Sequence, residues 1–86
     1  IVDLPRWPDG EPPAELLAVN PLGQVPTLVL SDGTVMTESA AMCVYLADLH
    51  PSAALSPALA APERADFLRW MFYLSANIYM TELRFF

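Results

Sequence analysis

Lysine is missing from the 86 residues, and four arginines with a single histidine face ten aspartates and glutamates. The formal charge of −6 and the pI near 4.3 leave no basic face able to track a phosphate backbone. Nucleic acid is therefore excluded as a partner. Cysteine is nearly absent too: Cys43 stands alone, so it closes no internal disulfide, and there is no CxxC pair or Cys/His cluster to hold zinc or run thiol exchange. No metal is expected, and a reducing, cytoplasmic setting fits best. Long apolar runs are lacking as well. None approaches the roughly 20 residues that cross a bilayer, and residues 1–4 lack the basic and apolar regions of a signal peptide. A membrane partner is not expected.

What is present points to a folded chain. Hydrophobic residues make up 55% and charged residues 16%, outside the composition of disordered sequences. Nine prolines are spread over several loops instead of forming a repeat. A chain this short buries only a modest core, and a helix that ends on Arg84-Phe85-Phe86 leaves the large apolar Phe85 and Phe86 with nothing in this sequence to cover them. The sequence reads as a piece of a longer protein.

Local signals divide it into elements. Residues 1–4 are β-prone and run into a proline-rich loop, which predicts the end of a strand. Pro13 at a first helical turn, followed by Ala14 to Ala18, predicts a short helix that stops at Asn20-Pro21. The runs 27–30 and 34–37 flank Ser31-Asp32-Gly33, which predicts an antiparallel hairpin because Asp-Gly supplies the positive φ of a tight reversal. Thr37, Glu38 and Ser39 offer capping oxygens to a helix over 39–49, with Ala41, Tyr45, Leu46 and Leu49 as its apolar stripe. Residues 50–62 carry three prolines and no periodicity and are expected to be a linker. Pro62-Glu63 opens a second helix, with Phe67, Trp70, Met71, Leu74, Ile78 and Leu83 in sequence and no stop signal before Phe86.

Two short stretches carry the chemistry, and their order matters more than either alone. Val25-Pro26 lies just before a strand, where only an X-Pro bond adopts cis at small cost. Such a bond would leave the Val25 N–H and C=O as an edge that pairs with an extended peptide. On its own, Val-Pro is more often a plain edge proline. Glu38-Ser39 stands at a helix N-terminus, where unpaired N–H groups and the helix dipole favour a carboxylate. The Ser39 hydroxyl adds a donor and Glu38 an acceptor for an ammonium, so together they suit an amino-acid head group. On its own this pair is commonly just a cap.

The series Asn20-Pro21-Leu22-Gly23-Gln24-Val25-Pro26-Thr27-Leu28, followed after the hairpin by Thr37-Glu38-Ser39, resembles the glutathione transferase family. The resemblance covers almost the whole chain. It implies an α/β thioredoxin-like fold, present in part, followed by the start of an all-α domain. The implied division is a partial glutathione-binding domain over 1–49, a linker over 50–62 and the first helix of the all-helical C-terminal domain over 63–86. It implies that Val25 pairs with the cysteinyl backbone of glutathione, that Gln24 approaches the tripeptide, that Pro26 is the family's cis-proline, and that Glu38 and Ser39 hold the γ-glutamyl head. Glutathione is the implied co-substrate, a hydrophobic electrophile the second substrate, detoxification the setting and a homodimer the assembly.

One part of the family pattern is not matched. The Tyr, Ser or Cys that activates the glutathione thiol lies in the family's first strand and helix, and this sequence is expected to begin after them. The catalytic residue is thus upstream of Ile1, and the chain alone is expected to be inactive. Two other readings stay open: a non-catalytic glutathione-binding or regulatory protein on the same fold, and a structural or interaction protein that has lost the ligand.

The remaining singular residues have plainer roles. Asp32-Gly33 is turn chemistry, Cys43 suits a small buried helix position, and His50 suits a helix end. Arg6 and Trp7 lie in the loop where some family members place a group that meets the glycyl carboxylate. Tyr73 and Tyr79 could line a substrate cleft, whereas the Phe67 to Ile78 stripe fits packing between domains better than a substrate wall.

Overall fold

The computed structural model describes residues 1–5, 7, 10–78 and 81. The expectations for Arg6, Tyr79, Leu83 and the 84–86 terminus fall outside the described residues. The chain divides into two compact units, Ile1–Glu38 and Ser39–Phe86.

In the first unit, helix α1 spans Ala14–Leu17 and starts where expected, with Pro13 immediately before it. The Pro13 carbonyl accepts from the N–H groups of Leu16 and Leu17 at 3.0 and 3.1 Å, so Pro13 stands at the cap position, where its missing N–H removes no helical hydrogen bond. Leu16 is the buried residue of this turn. Strands β1 (Leu28–Val29) and β2 (Val35–Met36) form the expected antiparallel hairpin, with Leu28 opposite Met36 and Val29 opposite Val35. Its turn is built by two local devices. Gly33 takes φ +90°, and the Thr34 N–H donates to the Asp32 carboxylate at 2.9 Å. That N–H, aided by the Thr34 side chain, holds the Asp32 carboxyl below its ordinary range.

Residues 1–4 differ from expectation, since they do not join this sheet. Ile1 and Val2 are exposed, and β-prone residues make a strand only where a neighbour takes their backbone hydrogen bonds.

In the second unit, helix α2 runs over Ser39–Leu49, the span predicted from its cap and breaker residues. Its buried face is not the predicted one. Ala40 and Met42 are buried, whereas Tyr45, Leu46 and Leu49 are exposed. The sequence SAAMCVYLADL is apolar on nearly every side, so its periodicity does not single out a face. Cys43, expected to be buried, is exposed and lines an apolar hollow of about 470 Å³ with Leu46, His50, Leu55, Phe67 and Met71. A 3₁₀ turn at Pro51–Ala53 ends with Ala54 in the left-handed region. Helix α3 covers Arg64–Tyr73, and five residues of π-helical backbone follow it over Leu74–Ile78. Phe67 and Met71 are half-buried, but Trp70, Leu74 and Ile78 of the expected stripe are exposed. Trp70 stacks edge-on against Tyr73 with ring centroids 5.4 Å apart. No helix among the described residues is long and apolar enough to cross a membrane.

A bidentate ion pair ties α2 to α3. Arg64 donates to both carboxylate oxygens of Asp48, at 2.8 and 3.0 Å, and to the Pro57 carbonyl at 3.0 Å. The guanidinium fork thus holds the end of one helix, the start of the next and the segment between them. The hydrogen bonds from Arg64 keep the Asp48 carboxyl below its ordinary range and raise the Arg64 pKa. Because the folded Asp48 is the stronger acid, the pair contributes stability above the unfolded pKa, and this is lost as the pH falls through the folded value. In denaturant titrations of the full-length protein, Asp48→Asn is expected to lower the midpoint at neutral pH and to converge with the wild type in acid. A gap that stays constant from neutral to acid pH would refute this role for the pair.

Candidate functional site

The hairpin register puts the candidate residues at one end of the sheet. With Leu28 opposite Met36, the chain entering β1 through Pro26 and the chain leaving β2 toward Glu38 both lie at the open end, away from the Asp32-Gly33 turn. Gln24, Val25, Pro26 and Glu38 are all exposed there, and Ser39, also exposed, follows Glu38 by one peptide bond. Sequence distance between Pro26 and Glu38 is thereby converted into shared location.

The loop into β1 is unusual in backbone geometry. The Val25–Pro26 peptide bond is cis, and Gly23 takes φ +65°. Val25 is 59% exposed despite its apolar side chain. Its neighbours Gln24 and Pro26 are exposed as well. Proline carries no N–H, so the donor offered here belongs to Val25.

Glu38 occupies the left-handed region at φ +71°. For a residue with a Cβ this conformation costs on the order of 1–3 kcal/mol, and such positions cluster where a site fixes the backbone. The strain falls at the junction of β2 and α2, where the chain turns from strand into helix. Ser39 is the first residue of α2, so the N–H groups of its opening turn have no partner within the helix. A carboxylate acceptor on Glu38, a hydroxyl on Ser39 and the positive end of an eleven-residue helix dipole thus follow one another along the chain.

Two residues of the first unit have larger roles in their setting than their local sequence suggests. Asn20 reads as a helix stop, and Gly23 appears only within the Asn20-to-Leu28 series; both are buried. The Leu22 N–H donates to the Asn20 side-chain oxygen at 3.0 Å, closing an Asx turn. An Asn-Pro pair with a glycine two residues on is a signal for such a turn, although it does not disclose burial. Of Arg6 and Trp7, Trp7 is half-buried and Arg6 lies outside the described residues. No group of three or more His, Cys, Asp or Glu side chains suited to a metal ion occurs among the described residues.

Comparison with known proteins places this geometry in context. Residues 1–49 match the family model described as glutathione S-transferase, N-terminal domain. The chain is 38% identical over 65 residues to the glutathione S-transferase GstA of Escherichia coli O157:H7, covering 76% of this chain and 32% of that protein. It is 42% identical over 66 residues to the GST-like protein YncG of Escherichia coli strain K12, covering 77% of this chain and 31% of that one. Among solved structures, a glutathione transferase from Methylococcus capsulatus matches with a TM-score of 0.71 at 45% identity, over 76% of this chain and 32% of that one. A sphingomonad glutathione S-transferase complexed with glutathione matches with a TM-score of 0.70 at 36% identity, over 74% of this chain and 32% of that one. The chain spans about a third of the length of the relatives it matches.

Proposed function

Since this chain belongs to the glutathione S-transferase family and carries part of its thioredoxin-like α/β fold, we propose that the complete protein binds glutathione and transfers its thiolate to an electrophilic small molecule. The observation that supports it most directly is the hairpin register, which puts Val25-Pro26 and Glu38 at one end of the sheet with Ser39 next in the chain. A solved relative of the same fold is complexed with glutathione.

In this reading the peptide lies along the exposed backbone at Val25, whose N–H and C=O pair with the cysteinyl residue as an added strand would. Gln24 flanks that segment, and Pro26 ends it without offering a competing donor. The γ-glutamyl head takes the other two residues: Glu38 accepts from its ammonium, while Ser39 and the first turn of α2 donate to its carboxylate. Recognition of the γ-glutamyl head and of the cysteinyl backbone holds the sulfur in one place. None of these residues is given the task of activating the thiol. The activating group donates a hydrogen bond to the thiolate and so lowers the thiol pKa, making more nucleophile at neutral pH. Attack forms a carbon–sulfur bond on the electrophile, and a leaving group departs with its electron pair or the adduct takes up a proton.

The same reading divides the chain into a glutathione-binding portion over 1–49, a linker over 50–62 and the opening helix of a helical domain from 63, in a cytoplasmic homodimer acting on hydrophobic electrophiles. Titration calorimetry on the full-length protein is expected to show glutathione binding, and an aryl halide assay to show conjugate formation. Binding without turnover on a panel of electrophiles would favour a non-catalytic glutathione-binding protein. Heat signals indistinguishable from dilution at millimolar glutathione would remove both readings.

A further inference from the structure

A loop that presents one residue's backbone at a fixed angle while its side chains face solvent needs an internal brace. Residues 20–27 have one. Asn20 is only 4% exposed, and its side-chain amide is fully used. One amide proton goes to the Gln24 carbonyl at 3.0 Å and the other to the Thr27 hydroxyl at 3.1 Å, while its oxygen accepts from the Leu22 N–H at 3.0 Å. The Thr27 hydroxyl in turn donates to the same Gln24 carbonyl at 2.9 Å. Two donors therefore converge on one carbonyl oxygen.

That carbonyl shares a peptide plane with the Val25 N–H. The peptide unit is rigid, and in its trans form the C=O and N–H point in opposite directions. Fixing the Gln24 oxygen on the inside of the loop therefore aims the Val25 N–H the other way. The brace grips the chain on both sides of Val25-Pro26, at Gln24 and at Thr27, without touching either residue.

We propose that Asn20, acting with Thr27, is a positioning residue of the glutathione site: it orients the Val25 N–H toward the cysteinyl backbone of the bound tripeptide. This rests on the reading that Val25 receives glutathione. The arrangement explains why a buried asparagine sits in a loop whose Gln24 and Val25 are exposed. An apolar residue there would leave the inward-facing Gln24 carbonyl without its amide donor, and the peptide plane would be free to rotate toward water.

Full-length protein with Asn20→Asp or Thr27→Val tests the assignment. The first keeps size and acceptor but removes both amide donors, and the second keeps shape but removes the hydroxyl. Calorimetry well below each variant's thermal transition is expected to show glutathione affinity reduced about ten- to a hundredfold, the range set by an unmet buried hydrogen bond. Thr27→Ser, which restores the hydroxyl, is expected to return to within about threefold of the wild type. A brace that serves only stability would lower the melting temperature and leave affinity of the folded protein unchanged, and that result overturns the proposal. Should Asn20→Asp fail to fold, the contrast between Thr27→Val and Thr27→Ser decides by itself. Wild-type protein that binds no glutathione overturns the underlying reading, whereas wild-type binding with unchanged variants overturns only the role of Asn20.

Discussion

Gly23→Ala is expected to destabilise the protein by about 2–4 kcal/mol, measured as the shift in a denaturant-unfolding midpoint at constant slope. Two costs combine. A residue with a Cβ at φ +65° gives up roughly 1–2 kcal/mol to left-handed sterics. The added carbon would also overlap the Pro12 ring and approach a Leu17 methyl at 3.3 Å. A proline ring cannot swing aside as a long side chain can, so the loop or α1 must shift, at a typical overpacking cost of about 1–3 kcal/mol. The two add incompletely, because a backbone shift relieves both. Gly33 is the internal control. It shares the positive φ, but nothing lies within 4 Å of an added Cβ, so Gly33→Ala is expected to show the conformational cost alone. Equal effects at the two glycines would show that the Pro12 contact carries no weight.

Ser39→Ala is expected to leave stability nearly unchanged and to weaken glutathione binding by about 1–3 kcal/mol, the cost of leaving part of a charged head group unpaired. At 25 °C that is roughly a five- to 150-fold rise in Kd. Ser39 is exposed and opens α2, so its removal creates no cavity. The discriminating measurement pairs calorimetry with a melting curve. Lost affinity at constant melting temperature supports a ligand contact, whereas unchanged affinity in a folded variant takes Ser39 off the site. Combined with Asn20→Asp, the losses are expected to be close to additive, since one variant acts on the γ-glutamyl head and the other on the cysteinyl backbone.

The opposite fates of Asp48–Arg64 and Asp32 show how far local sequence reaches. Asp32 bonds a residue two positions on, and its role is evident from Asp-Gly between two β-prone runs. Asp48 and Arg64 are sixteen residues apart, and no periodicity connects them. Their pairing depends on where the 3₁₀ turn and the following segment deliver α3.

By itself the sequence determined the elements and the family. The hairpin followed from Asp32-Gly33, α2 from the helix formers after Thr37-Glu38 and the break at His50-Pro51, and α3 from Pro62-Glu63, because turns, propensities and breakers act within a few residues. The ordered pair Val25-Pro26 and Glu38-Ser39 was likewise legible as a motif. Tertiary structure alone decided the rest: that Ala40 and Met42 are the buried residues of α2, that Cys43 is exposed, that residues 1–4 stay outside the sheet, and that Asn20 braces the loop behind Val25. Each of these depends on which distant atoms arrive at a given surface. A chain apolar on many sides, with few charges to mark its outside, leaves that choice to packing.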